Sequence, residues 1–470
     1  MEPKHIVVIE TGSSGIRGAA AAVDATSGIT LLAVEEAPAA DSVRYGRVQN
    51  AREASARIDE IIRRLENNPA VAPASVSAVF IANGGRSLSS AASEATVGQT
   101  ADSEVTPTVI ERLRNEARYN LGTDRDIIAV FPRRYFVDNA EVKNVVGSFG
   151  RNIRGEFTFV TCSPENLRNL QRVKVSSHER EIPREFITRL EAQCAAALTD
   201  SDRQLGCVFL DFGAETTTMA VFRDGAMQMA AALPMGSRNI TRDLSVGLSI
   251  TEESAEDLKI KKGQAVNERA NIDAPDAQTR EIINFVSARV GEIVANVVNR
   301  LTQEGFKPAE LPAGIVVEGR GSRLEGFIET LEAQTRMKVR RAAVDRSIRS
   351  VATDIKPADY FDLVSLVQFA ATRFDLDCLT LPVEIAAAAG PSVPGSALRP
   401  GRRVVAEDDP HLLDDEDDLD SPVTVNEEDD DELPPPDPSP EVTRRNLLER
   451  LKNWIAPKAE DDNLDDEEDE

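Results

Sequence analysis

Three short turns combine glycine with acidic and hydroxyl side chains, a combination that can bind phosphate and a hydrated metal ion. The first turn, ETGSSG at residues 10–15, lies between the β-branched segment IVVIE and another apolar stretch. Glycine lets the backbone approach phosphate closely, hydroxyls and amides can face its oxygens, and a carboxylate can hold Mg²⁺ through water. We therefore expect Gly12, Ser13 and Ser14 to lie at a phosphate site and Glu10 to hold Mg²⁺.

The other two turns occur much later in the chain. Residues 207–222, CVFLDFGAETTTMAVF, form an apolar strand that ends in an acid, a turn with glycine and hydroxyls, and a second strand. Residues 319–322, GRGS, precede a helical pattern, where a nucleoside could dock. Each turn alone also fits an ordinary hairpin or strand-to-helix turn, but the three in this order favour a nucleotide site. The expected ligands are Asp211 for Mg²⁺, Gly213 and Thr216 for phosphate, and Gly319, Gly321 and Ser322 for the nucleoside.

The elements around these turns indicate an α/β protein with two similar lobes. An acid two residues before glycine occurs in both hairpins, about 200 residues apart, which indicates a repeated lobe. Helical patterns at 53–66, 185–198, 251–262 and 277–304 alternate with apolar strands. Residues 76–163 interrupt this alternation, with strands at VFIAN, DIIAVFPRRYFV and EFTFVT around a helix at 108–120. They are predicted to form an inserted α+β subdomain.

Composition excludes several classes of function. The 470-residue chain carries a net charge of -26, and residues 407–470 alone hold 27 acidic and 5 basic side chains. Without a basic stripe, nucleic-acid binding is not expected. Three histidines and four scattered cysteines give little material for acyl transfer, zinc binding or a disulfide framework. No apolar run reaches the roughly 20 residues that span a bilayer, and the chain opens into a strand-like segment, so we expect a cytoplasmic protein with peripheral membrane contact.

Four further segments carry a family resemblance. They are GRVQN at 46–50, LGCVFLDFGAET at 205–216, GSRNITRDL at 236–244 and AEDLKIKKG at 255–263. With the three turns, they resemble the actin, sugar-kinase and chaperone ATPase superfamily, and most closely the FtsA family of bacterial cell-division proteins, over residues 5 to about 375. The resemblance implies a two-lobed actin-like ATPase fold with duplicated ribonuclease-H-like lobes. It also implies that Glu256 and Lys259 contact the ribose and adenine of ATP.

The same resemblance implies a division of the chain. The expected parts are a first lobe (1–75, 164–204 and 345–390), the inserted subdomain (76–163), a second lobe (205–344) with a nucleotide- and FtsZ-binding subdomain (237–312), a disordered acidic linker (391–442), an amphipathic helix (443–457) and an acidic tail (458–470).

Five positions depart from the family's usual loops. Gly15 stands where the first loop normally has lysine, Ala214 and Glu215 replace two glycines, Thr218 replaces an aspartate, and Arg320 interrupts three glycines. Glu215 is expected to repel phosphate, whereas Arg17, two residues after Gly15 and on the same face of a strand, can replace the lysine. We therefore expect ATP and Mg²⁺ binding with at most slow hydrolysis, and we assign no catalytic residue.

Residues 443–457 form an apolar island between acidic segments. A helix here places a basic rim around an apolar stripe, which is typical of an interfacial membrane helix. Docking of this helix on its own globule is the alternative. The stripe consists of Leu447, Leu448, Leu451, Trp454 and Ile455.

The family resemblance also implies partners. The C-terminal peptide of FtsZ is expected on the second lobe with a contact from Arg289, although an ordinary surface arginine paired with Glu292 fits the sequence equally well. Head-to-tail self-association, anionic membranes and other divisome proteins are the remaining expected partners. The implied function is an ATP-binding scaffold that tethers FtsZ filaments to the cytoplasmic face of the inner membrane at the septum. The alternatives are a pilus-assembly scaffold and a phosphotransferase of the sugar-kinase type.

Overall fold

The computed structural model describes residues 3–24, 28–266 and 276–381. The predicted linker at 391–442, the amphipathic helix at 443–457 and the acidic tail at 458–470 lie outside the described residues. No helix in the described part is long and apolar enough to cross a membrane.

The strands and helices follow the predicted α/β alternation. The described strands are β1 (Lys4–Thr11), β2 (Gly15–Asp24), β3 (Gly28–Pro38), β4 (Val43–Arg44), β5 (Arg47–Val48), β6 (Ser75–Val76), β7 (Val79–Asn83), β8 (Ser89–Glu104), β9 (Asp126–Val137), β10 (Ala140–Val142), β11 (Phe149–Cys162), β12 (Ser176–Ser177), β13 (Arg180–Glu181), β14 (Arg184–Thr188), β15 (Cys207–Phe212), β16 (Thr217–Arg223), β17 (Ala226–Leu233), β18 (Gly314–Glu318), β19 (Val339–Arg341), β20 (Arg349–Ser350) and β21 (Leu379–Thr380). The described α-helices are α1 (Ala51–Asn67), α2 (Pro107–Leu121), α3 (Pro164–Gln171), α4 (Arg189–Ala197), α5 (Asp200–Leu205), α6 (Ser237–Leu248), α7 (Glu252–Lys262), α8 (Ala277–Gln303), α9 (Phe327–Thr335) and α10 (Phe361–Arg373).

The two lobes repeat one sheet topology. In the first lobe, β1, β2 and β3 form an antiparallel meander, and β1 continues through β7 to β14 in parallel. In the second lobe, β15, β16 and β17 form the same meander, and β15 continues in parallel through β18 to β19. Each lobe has its own core of buried aliphatic and aromatic side chains. The predicted internal repeat is therefore present in the strand connections.

The inserted subdomain has a separate core beneath α2. Its sheet runs β10, β9, β11, β8 and is continuous with that of the second lobe, through a bridge between Ser89 of β8 and Ala231 of β17. Val97, Leu113, Phe157 and other apolar side chains fill the space between this sheet and α2.

Two sequence predictions about element boundaries are wrong. The strand VFIAN, which we expected in the insert, is β7, and it lies between β1 and β14 in the sheet of the first lobe. The predicted helix at 185–198 begins as strand β14, because this segment pairs with the exposed edge of β7. The helix α4 starts only at Arg189, directly after the two buried residues that end β14.

Candidate functional site

A cleft of about 810 Å³ separates the two lobes, a size typical of small-ligand sites. The turn between β1 and β2, the turn between β15 and β16, and the turn after β18 all line it. Helices α6 and α7 of the second lobe close one side, and α4 with the start of α10 closes another.

The two hairpin turns have the same geometry. The amide of Gly12 donates to the carbonyl of Gly15 at 3.1 Å, and the amide of Gly213 donates to the carbonyl of Thr216 at 3.0 Å. A Cβ atom on either glycine would lie 3.0 Å from that carbonyl oxygen. These contacts favour glycine at both positions and let each turn bring its backbone to the cleft.

The third turn requires glycine for a stronger reason. Gly319 has φ +91°, and a Cβ atom there would lie 2.3 Å from the carbonyl oxygen of Phe212 and 2.7 Å from Oδ1 of Asp211. A Cβ atom on Gly321 would lie 2.8 Å from the same carbonyl oxygen. The third turn thus packs directly on the second hairpin.

A network of buried ion pairs occupies the floor of the cleft. Arg189 donates from Nη1 to Glu10 at 3.1 Å, and its Nη2 lies 3.5 Å from Oδ2 of Asp211. Arg17, opposite Glu10 in the β1–β2 register, pairs with Glu10 and with Asp362 of α10. Glu10 and Asp211, which lie near the end of the first strand of each hairpin, are therefore both paired with an arginine.

A glutamine links two further carboxyls at the base of this network. Nε2 of Gln193 lies 3.4 Å from Asp211 and 3.2 Å from Oε2 of Glu318, at the end of β18. Burial raises the pKa of Glu318 well above its ordinary value, and the nearby Asp211 and Asp362 raise it further. Glu318 therefore takes up a proton more readily than an ordinary glutamate.

The arginines favour the ionised form of Glu10. Burial raises the pKa of Glu10, but Arg17 and Arg189 outweigh burial and hold it below its usual range. Burial lowers the pKa of Arg189, but the paired Asp211 and Glu10 raise it, and the net effect is a raised pKa. At neutral pH, the pair of Arg189 and Glu10 is charged on both sides.

Glu215 does not face the cleft as a free negative charge. Its side chain is fully buried and lies close to Arg44, Arg238 and Arg242, at 3.1, 3.1 and 3.0 Å. The amide of Tyr45 also donates to it at 2.6 Å. Burial raises the pKa of Glu215, but the Tyr45 amide and the arginines lower it overall. Our expectation that Glu215 repels phosphate was wrong, because three cations neutralise it.

The predicted nucleoside contacts lie on α7. Nζ of Lys259 donates to Oε2 of Glu256 at 2.7 Å, to the hydroxyl of Thr241 at 2.9 Å and to the carbonyl of Ser237 at 3.2 Å. Burial lowers the pKa of Lys259, although Glu256 partly offsets this effect. The lysine is thus fixed at the wall of the cleft, while Glu256 remains partly exposed.

Most of the sequence-predicted site residues line this one cleft. Those that line it are Glu10, Gly12, Ser13, Ser14, Asp211, Gly213, Thr216, Glu256, Lys259, Gly319 and Gly321. Ser322 does not line the cleft, which corrects the prediction. Its hydroxyl donates to the carbonyl of Gly319 at 2.7 Å and accepts from Arg341 at 2.9 Å, so it holds the third turn in shape.

Arg289 lies on α8, away from the residues that line the cleft. It makes a bidentate ion pair with Asp243 at 2.6 and 2.8 Å and pairs with Glu292 at 2.8 Å. The helix pair that we considered in the sequence is therefore present, together with a second acidic partner from α6.

Four cleft residues were missed by sequence reasoning, namely Arg189, Gln193, Glu318 and Asp362. A signal existed for the first two, since Arg189 and Gln193 are spaced i, i+4 on a helix whose other residues, apart from Glu191, are apolar. A signal also existed for Glu318. It is the last residue of β18, Asp211 is next to the last residue of β15, and the two residues are neighbours in the parallel register of these strands. Asp362 carries no such signal, because only the packing of α10 brings it to Arg17.

The expected Mg²⁺ site does not fit the structure well. Glu10 and Asp211 share the guanidinium of Arg189, so neither carboxylate faces the cleft without a cation. Among the described residues, no three or more His, Cys, Asp or Glu side chains are arranged to hold a metal ion.

Comparison with known families matches two parts of the chain. The model for cell division protein FtsA matches residues 208–360, and the model for the SHS2 domain inserted in FtsA matches residues 85–161. The second match coincides with the inserted subdomain and begins after β7.

Similar proteins extend this likeness over most of the chain. The cell division protein FtsA of Porphyromonas gingivalis is 26% identical over 341 residues, which cover 69% of this chain and 70% of the relative. FtsA of Pseudomonas aeruginosa is 25% identical over 384 residues, covering 79% and 90%. In fold alone, the chain resembles a solved PilM–PilN type IV pilus biogenesis complex, with a TM-score of 0.52 and 12% identity, covering 78% of this chain and 98% of that chain. The repeated lobes, the insert and these matches together show that the chain has the actin-like fold and is similar to the cell division protein FtsA over most of its length.

Proposed function

We propose that the chain binds ATP in the interlobe cleft and acts as a scaffold that tethers FtsZ filaments to the cytoplasmic membrane. The observation that carries the proposal is the convergence of both hairpin turns, the Gly319 turn and Lys259 on one cleft in a chain that is similar to FtsA. Phosphates would lie between Gly12 and Gly213, where two glycine turns present backbone. The nucleoside would lie toward Lys259 and Gly319.

A scaffold role fits this cleft better than rapid phosphoryl transfer. The described carboxylates nearest the phosphate turns, Glu10 and Asp211, are both held by arginines, so neither is available to activate a water or a hydroxyl. Hydrolysis depends on positioned groups that stabilise the developing charge. We therefore expect at most slow turnover, whereas a kinase of the sugar type would need one of these carboxylates free to act as a base.

The proposed site for the FtsZ C-terminal peptide lies within residues 237–312. Arg289 and Asp243 connect α8 to α6 in this region, and a charge-assisted contact from Arg289 to an acidic peptide would have to share the guanidinium with Asp243. The contributions of Arg289 to peptide binding and to folding can be separated by exchanging the charges of Arg289 and Asp243. In the Asp243→Arg/Arg289→Asp double variant, the ion pair between α6 and α8 is kept, the pair with Glu292 is lost, and the positive charge moves to α6.

The charge exchange gives a clear test of the peptide site. We expect Arg289→Asp alone to weaken both stability and peptide binding, and the double variant to recover stability but not peptide affinity. Thermal melting reports the first property, and fluorescence anisotropy with a labelled FtsZ peptide reports the second. Full recovery of affinity in the double variant would show that Arg289 acts only through folding.

Membrane attachment is assigned to residues 443–457, on the sequence pattern described above. One short helix gains modest free energy at an interface, and the acidic flanks oppose its cations, so stable attachment requires several copies presented together. Head-to-tail association of the actin-like globule would present them in a row. Recruitment of other division proteins to the septum would follow from this assembly.

Liposome flotation of the full chain with FtsZ tests the tether directly. Anionic vesicles should carry FtsZ upward only when the chain is present. Trp454→Glu should abolish flotation of both proteins, whereas removal of residues 458–470, which lie after the predicted helix, should not. If FtsZ floats equally well with the Trp454→Glu variant, the tethering proposal is wrong.

A further inference from the structure

The guanidinium of Arg189 bridges the carboxylates of the two hairpins. Its two terminal nitrogens lie 3.1 Å from Glu10 and 3.5 Å from Asp211. These carboxylates come from different lobes and belong to the two turns that would face the phosphates. Arg189 therefore lies where a hydrated divalent cation would have to sit if both carboxylates held it.

The fold fixes the position of Arg189 and buries most of its side chain. It is the first residue of α4, directly after the buried end of strand β14, and its side chain is 12% exposed. The conformational entropy of the Arg189 side chain is therefore lost when the protein folds and not when a nucleotide binds. A hydrated Mg²⁺ ion entering between Glu10 and Asp211 would have to break both contacts and leave a buried guanidinium unpaired, which is strongly unfavourable.

A second arginine adds positive charge on the same floor. Arg17 is 6% exposed on its side chain, lines the cleft, and pairs through Nη2 with Glu10 and Asp362. Its Nε and Nη1 have no hydrogen-bond partner among the described residues. A buried donor without a partner is costly, and a phosphate oxygen or an ordered water can satisfy it.

We propose that the cleft binds its nucleotide as the free anion, with Arg189 taking the place of the divalent cation. This inference rests on the proposed nucleotide-binding function and specifies it further. Arg189 supplies fixed positive charge between the two phosphate turns, and Arg17 supplies it beside them. Residues Glu10 and Asp211 orient these guanidinium groups instead of coordinating a metal through water.

The test measures binding of a fluorescent ATP analogue to the full chain in excess Mg²⁺ and in EDTA. The proposal predicts binding in EDTA that is at least as tight as in excess Mg²⁺, because the protein supplies the cation and Mg²⁺ competes with it for the phosphates. A loss of about tenfold or more in EDTA would overturn the inference and leave the nucleotide-binding function standing. Absence of binding in both conditions would overturn both, so the two failures are distinguishable.

The variant Arg189→Gln removes the charge and keeps a side chain that can donate hydrogen bonds. In this variant Asp211 loses its arginine and Glu10 keeps only Arg17, so a metal can enter between them and binding should become at least about tenfold weaker in EDTA than in Mg²⁺. Electron paramagnetic resonance should also detect Mn²⁺ bound to the variant with ATP, and none bound to the wild-type protein. Arg184→Gln, five residues earlier and paired with Glu181 outside the cleft, is the matched control and should behave as wild type.

The two proteins give complementary results. Specific Mn²⁺ binding by the wild-type protein with ATP would contradict the proposal, and so would metal-independent binding in Arg189→Gln at wild-type affinity. If the variant does not fold, the comparison of Mg²⁺ with EDTA in the wild-type protein still decides the question.

Discussion

Arg320 and Glu36 form a bidentate ion pair between the two lobes, with both nitrogen–oxygen distances at 3.0 Å. Glu36 lies on β3 in the first lobe, and Arg320 follows β18 in the second. Glu215 makes a comparable connection, since it contacts Arg44 and the amide of Tyr45 in the first lobe. Two of the residues that depart from the family's glycine loops therefore bridge the lobes.

The first prediction concerns this bridge. Arg320→Ala should speed nucleotide association about two- to fivefold, because the lost pair contributes up to about 1 kcal/mol to holding the lobes together beside the cleft. Both side chains are more than two-fifths exposed, so the free energy of unfolding should fall by less than about 1 kcal/mol. Stopped-flow fluorescence and urea denaturation measure the two effects. Arg340→Ala, which breaks an ion pair with Asp202 outside the cleft, should leave association unchanged; slower association in Arg320→Ala would show instead that this arginine contacts the nucleotide.

The second prediction concerns the buried carboxylate of Glu215. Glu215→Gln should lower the free energy of unfolding by about 3 kcal/mol at neutral pH, because three arginines lose their buried partner. The pKa of Glu215 is depressed in the folded state, so its stabilisation is present above the unfolded value of 4.5 and is lost as pH falls through the folded value. Urea denaturation from neutral pH to below pH 4 should therefore show the wild-type protein approaching the variant in acid. A constant difference at all pH values would mean that the ionised carboxylate is not the stabilising group.

The third prediction compares two glycines with positive φ. Gly319→Ala should destabilise the protein by about 3 kcal/mol, because the new Cβ would meet a carbonyl oxygen at 2.3 Å in addition to the strain of φ +91°. Gly305→Ala has φ +80° and no neighbour within 4 Å, so it should cost only about 1 kcal/mol. Chemical denaturation measures both. An equal loss of stability in the two variants would mean that the third turn can move away from Phe212. The contact between them would then not shape the cleft.

The fourth prediction concerns the nucleoside wall. Lys259→Met should weaken ATP binding by about tenfold, because a charge-assisted donor at the wall of the cleft is lost. Adenosine without phosphates should be weakened by the same factor, since Lys259 lies on α7 and not at the phosphate turns. Lys262→Met on the exposed end of the same helix is the control. Calorimetric titration with ATP and with adenosine measures both affinities. If Lys259 contacts a phosphate instead, the variant should weaken the binding of ATP and leave the binding of adenosine unchanged.

The structure explains which parts of the site the sequence could predict. The two hairpin turns were predictable because acid, glycine and hydroxyl lie within six residues, and local geometry places them together. Gly319 was predictable for the same reason. The spacing of Arg189 and Gln193 gave a signal, but the bridging role of Arg189 was not predictable, because it depends on where β14 ends and α4 begins, and the sequence pattern suggested one continuous helix there.

Long-range packing accounts for the remaining differences. Glu215 was expected to repel phosphate from its position in the second loop, but its partners Arg44 and Arg242 come from other elements that a loop motif does not contain. The strand β7 was assigned to the insert because its sequence is simply apolar, and only its parallel pairing with β1 shows that it belongs to the first lobe. Charge partners and strand neighbours of this kind lie far apart in the chain.

A crystal structure of the full chain with a non-hydrolysable ATP analogue, grown in EDTA, tests the central claim most directly. The account predicts one nucleotide in the interlobe cleft, with its phosphates between Gly12 and Gly213 and its base toward Lys259. Arg189 should remain between Glu10 and Asp211. An empty cleft at saturating analogue, or a nucleotide bound elsewhere on the chain, would contradict the account.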